Sequence, residues 1–170
     1  MSRGSRFTAA VAAGLFATVV FTAPVAAQQA SISAIATVAG GLAPLFVSNV
    51  TDLLFGTVTA GTNKTVTAPA DVGRFDVSGQ PSTPILINFS LPLVLVQGAN
   101  TIPITFGASD GKVYAVFPAS PVTFDPHTVG YSWTLPSTGN GSIGIGGTVS
   151  PLSSAVNGTY TGTITLTVSY

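Results

Sequence analysis

An all-β fold, with antiparallel sheets packed as a sandwich, is predicted by three observations. After residue 28 apolar and polar residues alternate with period two almost everywhere, and no stretch sustains helical spacing. Glu is absent and Lys and Arg are scarce, whereas Thr, Val and Ile abound, a composition that suits pleated structure. Turn signals recur between the alternating runs: Asp110-Gly111, Asn140-Gly141, Asn157-Gly158 and a series of prolines.

The chain opens with a segment of another kind. Arg3 and Arg6 precede an uncharged apolar run from Phe7 to Phe21, Pro24 breaks any helix, and Val25-Ala26-Ala27 supplies the small residues that a signal peptidase accepts. The run is short of the roughly 20 residues that span a bilayer, so a cleaved signal peptide over residues 1–27 is expected rather than a retained anchor. Export to the periplasm, cell surface or medium follows. With no cysteine in the chain, a lipid cannot be attached at a processed cysteine, and disulfides cannot support the fold. Residues 28–170 suit one domain, with no linker or repeat.

Strands are expected in order at Ile32–Val38, Leu53–Val58, Asn63–Thr67, Arg74–Ser78, Thr83–Phe89, Thr101–Phe106, Lys112–Phe117, Tyr131–Leu135 and Ser142–Val149. Asp110-Gly111 is expected to join two of them as a hairpin, and Pro103 to mark an edge or a bulge. The last strand, Thr159–Tyr170, has the strictest pattern. Tyr160, Gly162, Ile164, Leu166, Val168 and Tyr170 fall on one face, and Thr and Ser alone on the other.

Charge limits the partners. After residue 27 the basic side chains are Lys64, Arg74 and Lys112, against Asp52, Asp71, Asp76, Asp110 and Asp125. This small negative balance offers nothing to nucleic acid or to an anionic membrane. Charged residues make up 6% of the chain and mean hydropathy is +0.58, so its surface must be covered by partners or clothed in hydroxyls.

Catalytic signals are thin. Asp125-Pro126-His127 is the one place where an acid neighbours a histidine, and a loop role is expected for it because no nucleophile or pocket is evident. Ser109-Asp110-Gly111-Lys112 matches a Ser-x-x-Lys motif, but on a turn rather than at the start of a helix. Gly139 to Gly144 fits Gly-x-Gly-x-x-Gly, yet a β run follows where a nucleotide site needs a helix. No enzyme activity, cofactor or metal is expected. The aspartates lack calcium-loop spacing, and one histidine without cysteine builds no common zinc site.

The C-terminal strand resembles the terminal strand of pilus subunits assembled by the chaperone–usher route. Gly158 and Tyr170 stand twelve positions apart with Ile164, Leu166 and Val168 at the alternating apolar positions, although the family's tyrosine is usually penultimate. Leu53-Leu54-Phe55-Gly56-Thr57-Val58, Arg74-Phe75-Asp76-Val77-Ser78-Gly79, Gly146-Gly147-Thr148-Val149 and Gly158-Thr159-Tyr160-Thr161-Gly162-Thr163, in that order, look like the bacterial secreted domain-of-unknown-function 4402 family, which is similar to fimbrial subunits.

This resemblance implies an immunoglobulin-like, pilin-like sandwich acting by β-strand addition, with a periplasmic chaperone or like subunits as partners and a homo-polymer as the assembly. Gly158, Ile164, Leu166, Val168 and Tyr170 are then the contact strand. The face Ile32, Ala34, Ala36 and Val38 is either a donor strand or the first strand of its own sandwich. Two alternatives are open. The aromatic C-terminus also suits a small outer-membrane β-barrel. Trp133, Tyr131 and Tyr114 would suit a carbohydrate-binding or adhesin module.

Overall fold

The computed structural model describes residues 41–67, 69 and 71–170. The expected signal peptide, residues 1–27, and the expected strand Ile32–Val38 with its face Ile32, Ala34, Ala36 and Val38 lie outside the described residues. Within them the chain forms β1 (Phe46–Thr51), β2 (Lys64–Val66), β3 (Gly73–Ser78), β4 (Pro84–Ser90), β5 (Val94–Gln97) and β6 (Asn100–Thr105). It continues as β7 (Gly111–Tyr114), β8 (Val122–Phe124), β9 (Tyr131–Thr134), β10 (Asn140–Ile145), β11 (Gly147–Val149) and β12 (Thr165–Ser169). No helix occurs among the described residues, so none there is long and apolar enough to cross a membrane.

All strand pairs are antiparallel. They make a five-stranded sheet in the order β1-β3-β10-β7-β8, a four-stranded sheet β2-β11-β6-β5, and a three-stranded sheet β12-β4-β9. Two joints link the sheets. At Gly146 the chain steps from β10 of the first sheet into β11 of the second, and a Cβ there would lie 2.5 Å from the Val66 carbonyl oxygen. The segment before β12 meets β5 through a Thr161–Val96 bridge, while β12 itself pairs with β4. One C-terminal stretch therefore flanks both β4 and β5.

Alternation puts two apolar clusters between these layers. Val77, Val113, Phe124 and Ile143 of the five-stranded sheet meet Ile85 and Ile87 of β4, with Leu135 beside them. Ile143, Ile85 and Ile87 have no exposed surface. Burial on that scale stabilises by about 1.5–3 kcal/mol per side chain. Ile102 and Ile104 of β6, with Phe106, Ile145 and Val149, form the second cluster. Two antiparallel layers closing on shared apolar side chains are consistent with a β-sandwich. The described strands are three to seven residues long, short of the roughly 9–11 of a spanning strand, and lie in open sheets over an apolar interior.

Several expectations need correction. Leu53–Val58 is not a strand: Gly56 sits at φ +59 and breaks the extended run, and Leu53, Phe55 and Val58 instead lie against the second cluster. Asp110-Gly111 is not a hairpin tip joining neighbours. β6 pairs with β5 and β11, whereas β7 pairs with β10 and β8, so the turn carries the chain between sheets. It is closed by the Asp110 carboxylate accepting from the Gly107 amide at 2.6 Å. Pro103 is not on an edge strand. Its β6 partner changes there, from β5 up to Pro103 to β11 from Ile104 onward, so the missing N–H falls where one ladder ends.

A tight aromatic contact offers a check on this packing. Trp133, the sole tryptophan, lies over Gly141 so closely that a Cβ at that position would overlap its ring. Gly141→Ala is expected to destabilise the fold by about 1–3 kcal/mol in urea titrations and to shift the emission of Trp133.

Candidate functional site

Thr165–Ser169 pairs with β4 from Ser90 back to Leu86, and burial alternates as the sequence requires. Leu166 and Val168 pack against the first cluster, and Ile164 and Tyr160 against the second. Thr165, Thr167 and Ser169 are exposed. The regular strand is shorter than expected because Thr159–Ile164 leaves the ladder apart from the Thr161–Val96 bridge. β12 ends its sheet, and its outer edge has no strand partner among the described residues.

Gly158 has a local reason to be glycine. Its φ of +149 is unfavourable for other residues, and the Gln97 side chain occupies the space that a Cβ would take. Gln97 Nε2 also donates to the Asn157 carbonyl at 3.3 Å. Tyr170 works differently from the apolar members of its face. Its hydroxyl donates to the Ala43 carbonyl at 2.6 Å and accepts from the Gln80 amide at 2.7 Å, next to Gly79, where a Cβ would crowd the hydroxyl. Of the five predicted residues, Leu166 and Val168 lie on the edge strand β12, Gly158 and Ile164 in the stretch leading to it, and Tyr170 fastens its end.

Beside this edge runs a groove of about 950 Å³. Ile102, Ile104, Ile145 and Val149 line it together with Tyr160 and Ile164 of the C-terminal stretch, while the end of β1 and Leu53–Val58 form its other wall. β1 is the outer strand of the five-stranded sheet and all six of its residues are exposed, Phe46 by 65%. The second cluster is therefore less enclosed than the first, and it opens beside the end of β1, whose outer edge has no strand partner among the described residues.

The other candidate residues are engaged locally. The Asp125 carboxylate accepts from the backbone amide of His127, not from its ring, at 2.9 Å, and His127 Nε2 lies 3.2 Å from the Phe106 carbonyl. Lys112 donates to the Thr67 carbonyl at 2.8 Å. Gly139–Gly144 forms a turn and β10. Tyr131 stacks on Phe124 with ring centroids 4.1 Å apart, and Trp133 packs on the first cluster, so both are half-buried in core contacts. Tyr114 is fully buried, which pushes its hydroxyl pKa up. No group of three or more potential metal ligands occurs among the described residues.

One cluster escaped the sequence reading. Arg74 Nε and Nη2 donate to the two oxygens of Asp76 at 2.9 Å each, Ser142 Oγ donates to Asp76 Oδ1 at 2.6 Å, and the guanidinium lies 4.4 Å from the Phe117 ring centroid. The signal was the i, i+2 spacing of Arg74 and Asp76, which places both on one face of a strand. The Arg74 hydrogen bonds, aided by the Ser142 hydroxyl and the guanidinium charge, hold the Asp76 carboxyl below the usual carboxylate range against the opposing effect of burial.

Comparison with protein-family models and with curated proteins finds no match to this chain.

Two outcomes are expected from these contacts. Tyr170→Phe removes both hydroxyl hydrogen bonds at a partly exposed site, and should lower the unfolding free energy by about 0.5–1.5 kcal/mol in urea. Asp76, with its pKa lowered in the folded state, stabilises above the unfolded carboxylate value and loses that contribution as pH falls through its folded value. Asp76→Asn should therefore flatten the acid side of the stability–pH curve, read from thermal midpoints across the acid range.

Proposed function

We propose that the protein is an exported structural subunit of the bacterial cell surface, fimbrial-like, that associates by β-strand addition along its C-terminal edge. The observation that carries this reading is the apolar groove between the end of β1 and Ala155–Ile164, just before β12. It offers what strand addition needs: the outer edge of β1, which has no strand partner among the described residues, and apolar side chains alongside to receive those of a donor. The spacing of Gly158, Ile164, Leu166, Val168 and Tyr170, similar to that of pilus subunits, supports the same reading, as does the resemblance to the domain-of-unknown-function 4402 family. An immunoglobulin-like arrangement of the sheets belongs to this proposal.

The donor is an extended segment of a like subunit, and Ile32, Ala34, Ala36 and Val38 have the alternation to fill the groove; a periplasmic chaperone strand is the other occupant. Backbone pairing supplies the affinity, so no cofactor or catalytic residue enters. The low charge of the chain fits a subunit whose surface is largely covered on assembly.

A synthetic peptide of residues 31–39 added to the purified protein tests this. The peptide is expected to bind and raise the thermal midpoint, and the same peptide with Ala36→Arg is expected to do neither. A chain that stays monomeric at high concentration and ignores the peptide overturns the proposal.

A further inference from the structure

The outward face of the five-stranded sheet carries a second concavity of about 610 Å³, which reaches the sheet backbone at Val47 and Val77. Strand register composes it. Ser78 is paired with Phe46 on one side and Asn140 on the other, and Asp76 with Ser48 and Ser142. Cross-strand partners share a face, so two rows of side chains stand next to each other on the solvent side. Phe46, Ser48, Asp76, Ser78, Asn140 and Ser142 all line the concavity.

We propose that this concavity binds a neutral saccharide, with Phe46 as the stacking surface and Asp76 as the principal acceptor for sugar hydroxyls. The lining combines hydroxyl, amide and carboxylate groups with apolar surface from Val47, Val77 and Ala115, and holds one large exposed ring. That combination complements a sugar, which has polar edges and an apolar C–H face. Asp76 is the one charged residue lining the concavity among the described residues, and Arg74 neutralises it through two hydrogen bonds. A charged ligand therefore finds no counter-ion here. A neutral polyol finds an oriented acceptor.

Asp76 has capacity left for this work. Its Oδ1 already accepts from Arg74 and Ser142, but Oδ2 accepts only from Arg74 among the described residues, and a carboxylate offers about four lone-pair sites. Its side chain remains 41% exposed. The Arg74 fork and the Ser142 hydroxyl fix the carboxylate plane in advance, so little ordering is left to the moment of binding. Phe46, on the outermost strand and 65% exposed, belongs to neither core cluster among the described residues. The site also differs from the aromatics first considered for sugar stacking, since Trp133 and Tyr131 are committed to the interior.

The test is an immobilised panel of neutral tetrasaccharides built from glucose, galactose, mannose and xylose, followed by calorimetric titration of those retained. At least one is expected to bind. Phe46→Ala and Asp76→Asn should each weaken binding about tenfold, and Phe46→Trp should preserve it. Ser48→Trp, which fills the concavity from an exposed position, should abolish it, with thermal midpoints confirming that each variant is folded. Retention of no neutral tetrasaccharide overturns the proposal, as does binding that survives Phe46→Ala and Ser48→Trp unchanged. Because the peptide of residues 31–39 is directed to the groove on the other side of the sheet, either result stands independently of strand addition.

Discussion

The contact between β4 and the inward face of the five-stranded sheet is the constraint on which the rest depends. The chain has no disulfide and few ion pairs to draw on, so the dry meeting of Ile85 and Ile87 with Val77, Val113 and Ile143 must hold the layers together. Strand pairing alone would leave separate ribbons. Once these side chains are buried, β4 fixes β12 on one side and β9 on the other, and the C-terminal stretch is carried on to β5 and the second cluster. The two clusters differ in completeness. The first is the more deeply buried, whereas the second opens to solvent between the end of β1 and Ala155–Ile164, and that difference locates the groove.

Much of this was legible in the sequence wherever one face of a strand is buried and the other is wet. The strands around Arg74–Ser78, Thr83–Phe89 and Thr101–Phe106 follow the alternation closely, and so do Leu166 and Val168 at the end. The failures have physical causes. β1 is exposed at every position and shows no alternation to detect. Val94–Gln97 is a mostly apolar run just after Pro92, and Val122–Phe124 is too short for a period to be counted. Leu53–Val58 is rich in apolar residues because it covers the second cluster, not because it joins a ladder.

The site residues divide the same way. Ile164, Leu166 and Val168 were readable from period two, but the part played by Tyr170 was not, since it depends on Ala43 and Gln80 far away in the chain. The role of Gly158 was visible only as a spacing until Gln97 appeared against it. Arg74, Asp76 and Ser142 come from two strands that neighbour one another only in the folded sheet, and no linear motif announces that meeting. Long-range register, not composition, is what had been hidden.

The Tyr170 hydroxyl joins the carbonyl of Ala43, near the start of the described chain, to the residue at its far end. Tension that entered at one of these points and left at the other would be passed across a single corner of the molecule. The hydrophobic interior would feel almost none of it until that small clasp gave way. Under load applied between those two points, the molecule would behave as a link closed by a latch, yielding first at its periphery and keeping its centre whole.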